Sequence, residues 1–206
     1  INRASAKTQA ALLEAMEERQ VTVDSKTYIL EEPFMVLATQ NPIESFGTYP
    51  LPDAQIDRFL IKMSMGYPAI EEEQKIIHSG KASKKAIGAV MGKEDVLELS
   101  RLSDEVVIDP SIERYIVEIV AATRKNSNVL LGASPRGSIA LSTSAKVYAL
   151  MNGRGYVKPD DIKYLAKSVL CHRLTLTNEA RIKHVTPEKV IDDILGSIIV
   201  PVGFLM

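Results

Sequence analysis

The sequence predicts a chain of two parts, an α/β part over residues 1–66 followed by an all-α helical bundle over residues 67–206, with helix predominating overall. Two observations predict this architecture. Short apolar runs typical of buried strands occur in the first part, whereas amphipathic helical patterns follow one another in the second. Helix-start signals, in which a polar residue precedes a proline, recur along the second part. We therefore expect the second part to be the more regular of the two.

The first part alternates helical and strand-like patterns. Leucine and methionine recur at helical spacing among alanines and glutamates near the start, which predicts an amphipathic helix whose glutamates face water. Two β-prone runs then flank a short polar turn, as in a hairpin. Two later runs are almost wholly apolar, which is typical of buried strands. The predicted elements are a helix over 5–19, a hairpin over 21–30, strands over 34–39 and 59–65, a loop over 43–52 and a short helix over 53–58.

The second part consists of successive helical patterns. At three of the helix starts a good N-capping residue stands directly before a proline, and these residues are Asp109, Ser134 and Thr186. Proline at the first helical position has the backbone angle that a helix needs and lacks only an N–H that would have no partner there. The predicted helices run over about 69–80, 94–105, 110–125, 135–152, 159–170 and 187–196.

Composition excludes several classes of protein. A net charge of -1 gives no electrostatic case for nucleic acid, and no apolar window is long enough for a membrane span. The single cysteine, Cys171, cannot form an internal disulfide, so a reducing compartment such as the cytoplasm is expected. His78, His172 and His184 lack metal-ligand spacing, and we interpret them as ordinary surface or packing residues.

Three polar residues stand where a binding site could form. Asn41 follows the predicted strand 34–39, where its amide could bind a phosphate oxygen or orient a water, or merely cap the turn. Arg58 follows a loop, so it could reach an anion or form a local salt bridge. Arg136 lies in the first turn of a predicted helix, where the helix dipole disfavours a cation. That position favours a phosphate partner, although a solvated arginine is the plain alternative.

Four ordered stretches carry a resemblance to a known family. They are Ile1-Asn2-Arg3-Ala4, Leu37-Ala38-Thr39-Gln40-Asn41-Pro42, the run from Gly47 to Phe59, and Gly132-Ala133-Ser134-Pro135-Arg136. Together they resemble the AAA+ ATPases, most closely the MoxR branch, over nearly the whole chain. The resemblance implies part of a P-loop NTPase-type core over residues 1–66 and a helical lid over residues 67–206.

The resemblance also implies roles for the three residues. Asn41 would be the sensor 1 residue that orients the attacking water, and Arg58 would be the arginine finger that reaches a neighbouring subunit's site. Arg136 would be the sensor 2 residue, which reports the nucleotide state to the lid and serves either its own subunit's site or a neighbour's. The implied cofactors are ATP and Mg²⁺, and the implied assembly is a homo-oligomeric ring, a hexamer. The implied partners are proteins with von Willebrand A domains, on which the ring would act as a chaperone or remodelling factor.

The sequence departs from the family in one large respect. It contains neither the Walker A Lys-Ser/Thr nor the Walker B Asp-Glu that bind phosphate and Mg²⁺. We therefore expect a fragment that neither binds ATP tightly nor hydrolyses it by itself. The predicted strands 34–39 and 59–65 would also lack the strand between them, so they would pair abnormally, pair with another segment or be poorly ordered. The alternative function is a non-catalytic helical interaction module.

Overall fold

The computed structural model describes residues 1–41, 49–79 and 88–201. Its helices are α1 (Ala6–Glu18), α2 (Asp53–Ile56), α3 (Ile70–Ser79), α4 (Lys93–Asp104), α5 (Pro110–Lys125), α6 (Pro135–Met151), α7 (Pro159–Leu170), α8 (Asn178–Ile182) and α9 (Pro187–Ser197). Its strands are β1 (Gln20–Val23), β2 (Lys26–Ile29), β3 (Val129–Leu131) and β4 (Thr175–Leu176). Much of the loop predicted over 43–52, and the last residue of the helix predicted over 69–80, lie outside the described residues.

The predicted helices are confirmed to within two residues at their described ends. Their starts have the predicted physical cause. The side chains of Asp109, Ser134 and Thr186 each accept a hydrogen bond from a backbone N–H in the following first turn, at 2.8, 3.1 and 3.2 Å. Each cap satisfies a donor that has no partner within the helix, and a proline follows each cap at the first helical position.

The hydrophobic core lies in the bundle, where α5, α6, α7 and α9 pack together. The largest wholly buried side chains there are those of Tyr115, Ile112, Ile119, Leu141, Ile162, Leu170 and Ile191. Of the helices in the described residues, α1, α2, α3 and α4 contribute no side chain to this core, and the described side chains of α3 are exposed. None of the described helices has the length and apolar character that crossing a bilayer requires.

Two small antiparallel sheets complete the described fold. The predicted hairpin is confirmed: β1 pairs with β2, and the turn residues Asp24 and Ser25 have φ of 48° and 63°. β3 and β4 pair across the bundle, and sequence analysis missed both of them as well as α8. Each of these elements is five residues or fewer, so none is long enough to show a reliable period.

The strands predicted over 34–39 and 59–65 are wrong for this chain. Neither segment joins a sheet, and Leu37, Met63 and Met65 are 88%, 77% and 92% exposed. The physical reason is that a strand satisfies its backbone only through a neighbouring strand, and no described segment takes that position. Abnormal pairing, one of the three outcomes expected for orphan strands, is therefore not seen in the described residues. Other parts of the chain hold the two segments through a few hydrogen bonds. Ile1 amino nitrogen donates to Thr39 oxygen at 2.7 Å, Lys62 nitrogen donates to Ser168 oxygen at 2.9 Å, and Phe59 oxygen accepts from Arg173 Nη2 at 2.7 Å.

Candidate functional site

An open pocket of about 250 Å³ lies between α1, α6 and the segment that follows α2. Two of the three predicted site residues, Arg58 and Arg136, line it together. They come from distant parts of the sequence, so the fold brings them to one place. The remaining lining residues are Met16, Glu17, Asp57, Leu60, Ile139, Ala140, Thr143 and Arg173. The pocket therefore has an apolar wall and a strongly charged rim.

The carboxylate of Glu17 joins the two arginines. Its Oε1 accepts a hydrogen bond from Arg136 Nη2 at 2.6 Å, and its Oε2 accepts one from Arg58 Nη1. The side chains of Arg58, Glu17 and Arg136 are 28%, 40% and 50% exposed, so these ion pairs are open to water. Arg58 thus forms a salt bridge, but with a residue 41 positions away and not with the local partner that sequence analysis considered.

Arg136 lies where sequence analysis placed it, in the first turn of α6. Its backbone N–H donates to the capping Ser134 Oγ, and its guanidinium extends to Glu17. A cation at a helix N-terminus is unfavourable unless a negative charge compensates it. Glu17 provides that negative charge through its ion pair with Arg136.

Asp57, directly before Arg58, docks this segment on the bundle. Its Oδ1 accepts from Arg173 Nη1 at 2.7 Å, and its Oδ2 accepts from Ser134 Oγ at 2.8 Å. The Arg173 side chain is only 2% exposed, and it also donates to the backbone oxygens of Asp57 and Phe59. A buried guanidinium needs such a full set of acceptors. Asp57 thus fixes Arg58 relative to the helix that carries Arg136.

The start of α6 is also fixed by a close backbone approach at Gly132. A Cβ on this residue would lie 2.7 Å from Arg124 N and 2.8 Å from Arg124 Cα, both backbone atoms of α5. Only glycine fits there without moving one of the two segments. The next residue, Ala133, donates its N–H to Thr123 Oγ1 at 3.1 Å and accepts from Arg124 Nε at 2.8 Å. These contacts fix the position of the start of α6 and therefore of Arg136 in its first turn.

The turn after α7 carries two of the residues that sequence analysis treated as ordinary. Burial is the main cause that lowers the pKa of His172, whose Nε2 lies 3.0 Å from Phe59 oxygen. The ring is therefore neutral near pH 7, and Nε2–H donates to that oxygen. Burial is also the main cause that raises the pKa of Cys171 to about 12, so its thiol is protonated and packs against the core as a small apolar group.

Asn41 is not brought to the pocket. It is exposed, and its backbone oxygen accepts a hydrogen bond from Asn2 Nδ2 at 3.2 Å. The neighbouring chain is held by Gln9, which is 3% exposed and whose Nε2 donates to Ile1 oxygen at 3.3 Å and Tyr49 oxygen at 3.1 Å. The third predicted residue thus lies in a separate cluster around the first residues of the chain.

Sequence analysis missed Glu17 and Arg173 as parts of the site. Glu17 stands among other glutamates of an amphipathic helix, and its partners lie 41 and 119 residues further along the chain. Arg173 stands in a short turn and pairs with a residue 116 positions away. Local spacing carries no signal for either residue, because both roles arise only when the first part docks on the bundle.

Comparison with known proteins assigns the chain to a family. The sequence profile of the ATPase family associated with various cellular activities (AAA) matches residues 1–61, and that of the AAA lid domain matches residues 121–194. The uncharacterised protein YeaC of Bacillus subtilis is 51% identical over 204 residues, covering 98% of this chain and 64% of that protein. The chain belongs to the AAA family of ATPases. The resemblance found in the sequence is thereby confirmed.

Two further relatives refine the assignment within the AAA family. The chaperone MoxR1 of Mycobacterium tuberculosis is 41% identical over 210 residues, covering 98% of this chain and 56% of that protein. A solved crystal structure of a candidate ATPase from Cytophaga hutchinsonii superposes with a TM-score of 0.90 at 41% identity, over 97% of this chain and 64% of that one. The AAA chain described here is thus of MoxR type, and it spans less than two thirds of the length of these relatives.

The resemblance implies two groups, the phosphates of ATP and Mg²⁺, and the pocket of this AAA chain fits the phosphates. Guanidinium groups are suited to phosphate oxygens, and Arg58 and Arg136 present two of them on one rim. Mg²⁺ needs carboxylate and similar oxygen ligands. The described residues contain no cluster of three histidine, cysteine or acidic side chains that could hold a metal ion.

Proposed function

We propose that this chain provides the arginine-bearing segment and the lid of a MoxR-type AAA ATPase. In that protein, ATP binding and hydrolysis in a homo-oligomeric ring, a hexamer, would drive remodelling of a partner protein. The observation that carries the proposal is the meeting of Arg58 and Arg136 on one pocket. The relative named as a chaperone supports the remodelling role, and proteins with von Willebrand A domains are the partner class we propose.

Each candidate residue has a distinct proposed role. Arg58 would act as the arginine finger and stabilise negative charge that develops on a phosphoryl group in a neighbouring subunit. Arg136 would act as sensor 2 and bind a phosphate oxygen from the start of α6. Asn41 would act as sensor 1 and orient a water with its amide. ATP supplies the transferable phosphoryl group, and Mg²⁺ would be held by residues outside this sequence.

We further propose that the 206-residue chain by itself has no ATPase activity, because the sequence has no Walker A or Walker B residues. A calorimetric titration of Mg-ATP into the chain should show no tight binding. The cytoplasmic location rests on the single cysteine and stays a prediction.

The test of the proposed function is the ATPase activity of the whole gene product. Arg58→Ala should lower kcat by about 10³-fold or more, the effect usual for an arginine finger, with little change in oligomeric state. Arg136→Ala should also weaken nucleotide binding. Arg114→Ala is the matched control, since Arg114 is an exposed bundle arginine whose ion pair is with Glu118 on its own helix. If all three variants keep normal turnover, the chain has no catalytic role and the interaction-module alternative is favoured.

A further inference from the structure

Glu17 and Arg136 each lie at the unfavourable end of their own helix. Glu17 is in the last turn of α1, where the carbonyl ends of the helix repel a carboxylate, and that turn contains no basic residue. Arg136 is in the first turn of α6, where the exposed N–H groups repel a cation, and that turn contains no acid. Each residue is therefore stabilised by a partner from outside its helix, and they are each other's partners.

The pairing uses the groups that the proposed function assigns to phosphate. One Glu17 oxygen accepts from Arg58 and the other from Arg136, so both oxygens are engaged. A phosphate that approached both guanidiniums from the pocket would compete with this carboxylate for N–H donors. The charged residues lining the pocket are three arginines and two acids, and one of those acids, Asp57, is already committed to Arg173. Glu17 is thus the acid that controls the free positive charge of the pocket.

The strength of the pairs allows exchange. Ion pairs whose members are 28% to 50% exposed belong to the weak class, because water screens them. The Asp57–Arg173 pair, at 16% and 2% exposure, is far less accessible to a competing anion. A phosphate carries more negative charge and more acceptor oxygens than a carboxylate, so it can displace Glu17 without breaking the buried pair.

We propose that Glu17 is an internal counter-ion that competes with phosphate for Arg58 and Arg136 and so weakens phosphate binding at this pocket. The proposal rests on the proposed function of the two arginines. When phosphate takes the arginines, Glu17 is left at the C-terminal end of α1 without a partner. Since β1 begins at Gln20, directly after that turn, the loss of the two Glu17 ion pairs would also affect the β1–β2 hairpin.

The test is a calorimetric titration of the 206-residue chain with inorganic tripolyphosphate at low salt. Glu17→Gln keeps the shape of the side chain and removes its charge, and we expect it to bind about fivefold more tightly than wild type, the effect of losing two weak ion pairs. Glu18→Gln is the matched control, an identical change on the next residue of the same helix, and should stay within about twofold of wild type. Glu17→Asp keeps the charge and should return affinity toward wild type.

The variants also separate this proposal from the one on which it rests. The gain in Glu17→Gln should disappear when Arg58→Gln or Arg136→Gln is added. If the arginine variants weaken binding but Glu17→Gln binds no more tightly than wild type, the arginines bind phosphate as proposed and the counter-ion proposal is overturned. If neither arginine variant changes tripolyphosphate affinity, the arginine roles in the proposed function fail, and the counter-ion proposal fails with them. Absence of binding by Glu17→Gln also overturns it, and equal thermal midpoints exclude misfolding as the cause.

Discussion

The bundle and the first part of the chain differ in where their backbone hydrogen bonds come from. The helices of the bundle satisfy their own backbones and bury side chains such as Ile119 and Leu141 completely. Among the described residues of the first part, the buried apolar side chains are Leu13, Ala15 and Leu51, and the two apolar segments leave large side chains exposed. Regular structure in the bundle thus depends on local sequence, whereas the two apolar segments of the first part would need partner strands that the described residues do not supply.

The two parts meet through polar contacts, which include the Glu17–Arg136 pair of the pocket. Residues 53–62 of the first part touch residues 168–175 of the bundle through the Asp57–Arg173 pair and through Thr175 Oγ1, which donates to Asp53 Oδ2 at 2.7 Å. The division at residue 66 stays a prediction. The contact nevertheless shows that the arginine-bearing segment is positioned by the bundle and not by a sheet of its own.

The largest expected effect contrasts the two parts directly. Ile119→Ala should lower the free energy of unfolding by about 2–5 kcal/mol, because it opens a cavity in a packed core. Leu37→Ala removes a similar apolar side chain from an exposed segment and should change it by no more than about 0.5 kcal/mol. Urea unfolding followed by circular dichroism measures both. Equal losses would show that the apolar segments of the first part are packed in solution and would break the comparison.

A smaller effect is expected at the contact between the parts. Asp57→Asn should cost about 2–3 kcal/mol, less than the usual 3–5 for breaking a buried pair, because Arg173 keeps its backbone acceptors. Asp53→Asn is the matched control, because it makes the same change at the exposed Thr175 contact. Urea unfolding measures the loss in the free energy of unfolding for both variants. An Asp57→Asn loss no greater than that of the control would mean that the parts are held together elsewhere.

Prediction from sequence was accurate where the cause of a structure is local. The caps at Asp109, Ser134 and Thr186 determine their helix starts by contacts within the next turn, and a pattern of neighbouring residues reveals them. The segments 34–39 and 59–65 have the composition of strands, but a ladder needs a second strand, which composition cannot provide.

The candidate site was predictable only in part, for the same reason. Arg136 was recognisable because its position conflicts with its own helix dipole, a local property. Its partner Glu17 has the same kind of conflict with the dipole of α1, at the C-terminal end of that helix. An acidic residue on a solvated helix face is so common, however, that the pattern did not single it out. Roles that depend on residues far apart in the sequence, such as that of Arg173, appear only with the fold.

The smallest effect expected is a pH dependence of stability that comes from His172, at the contact between the two parts of the chain. The folded chain holds His172 with a lowered pKa, so below the ordinary histidine value of about 6.5 the unfolded chain binds more protons than the folded chain. Stability should therefore fall as pH drops from about 7 through 6.5 toward the folded pKa, and then level off. His172→Gln keeps a donor for Phe59 oxygen and removes the titration. The urea midpoints of the wild type and of this variant should converge as the pH falls from 8 to 5. Midpoints that differ by the same amount at every pH would contradict the buried neutral ring.

The hydroxyl of Ser134 takes part in two contacts at once. It accepts the N–H that begins α6 and donates its own proton to Asp57, whose other oxygen accepts from Arg173. Consecutive hydrogen bonds of this kind polarise and strengthen one another. Separating the two parts of the chain would therefore weaken the first turn of α6 as well as the contact itself. The start of α6 and the contact between the two parts of the chain thus form a single cooperative unit.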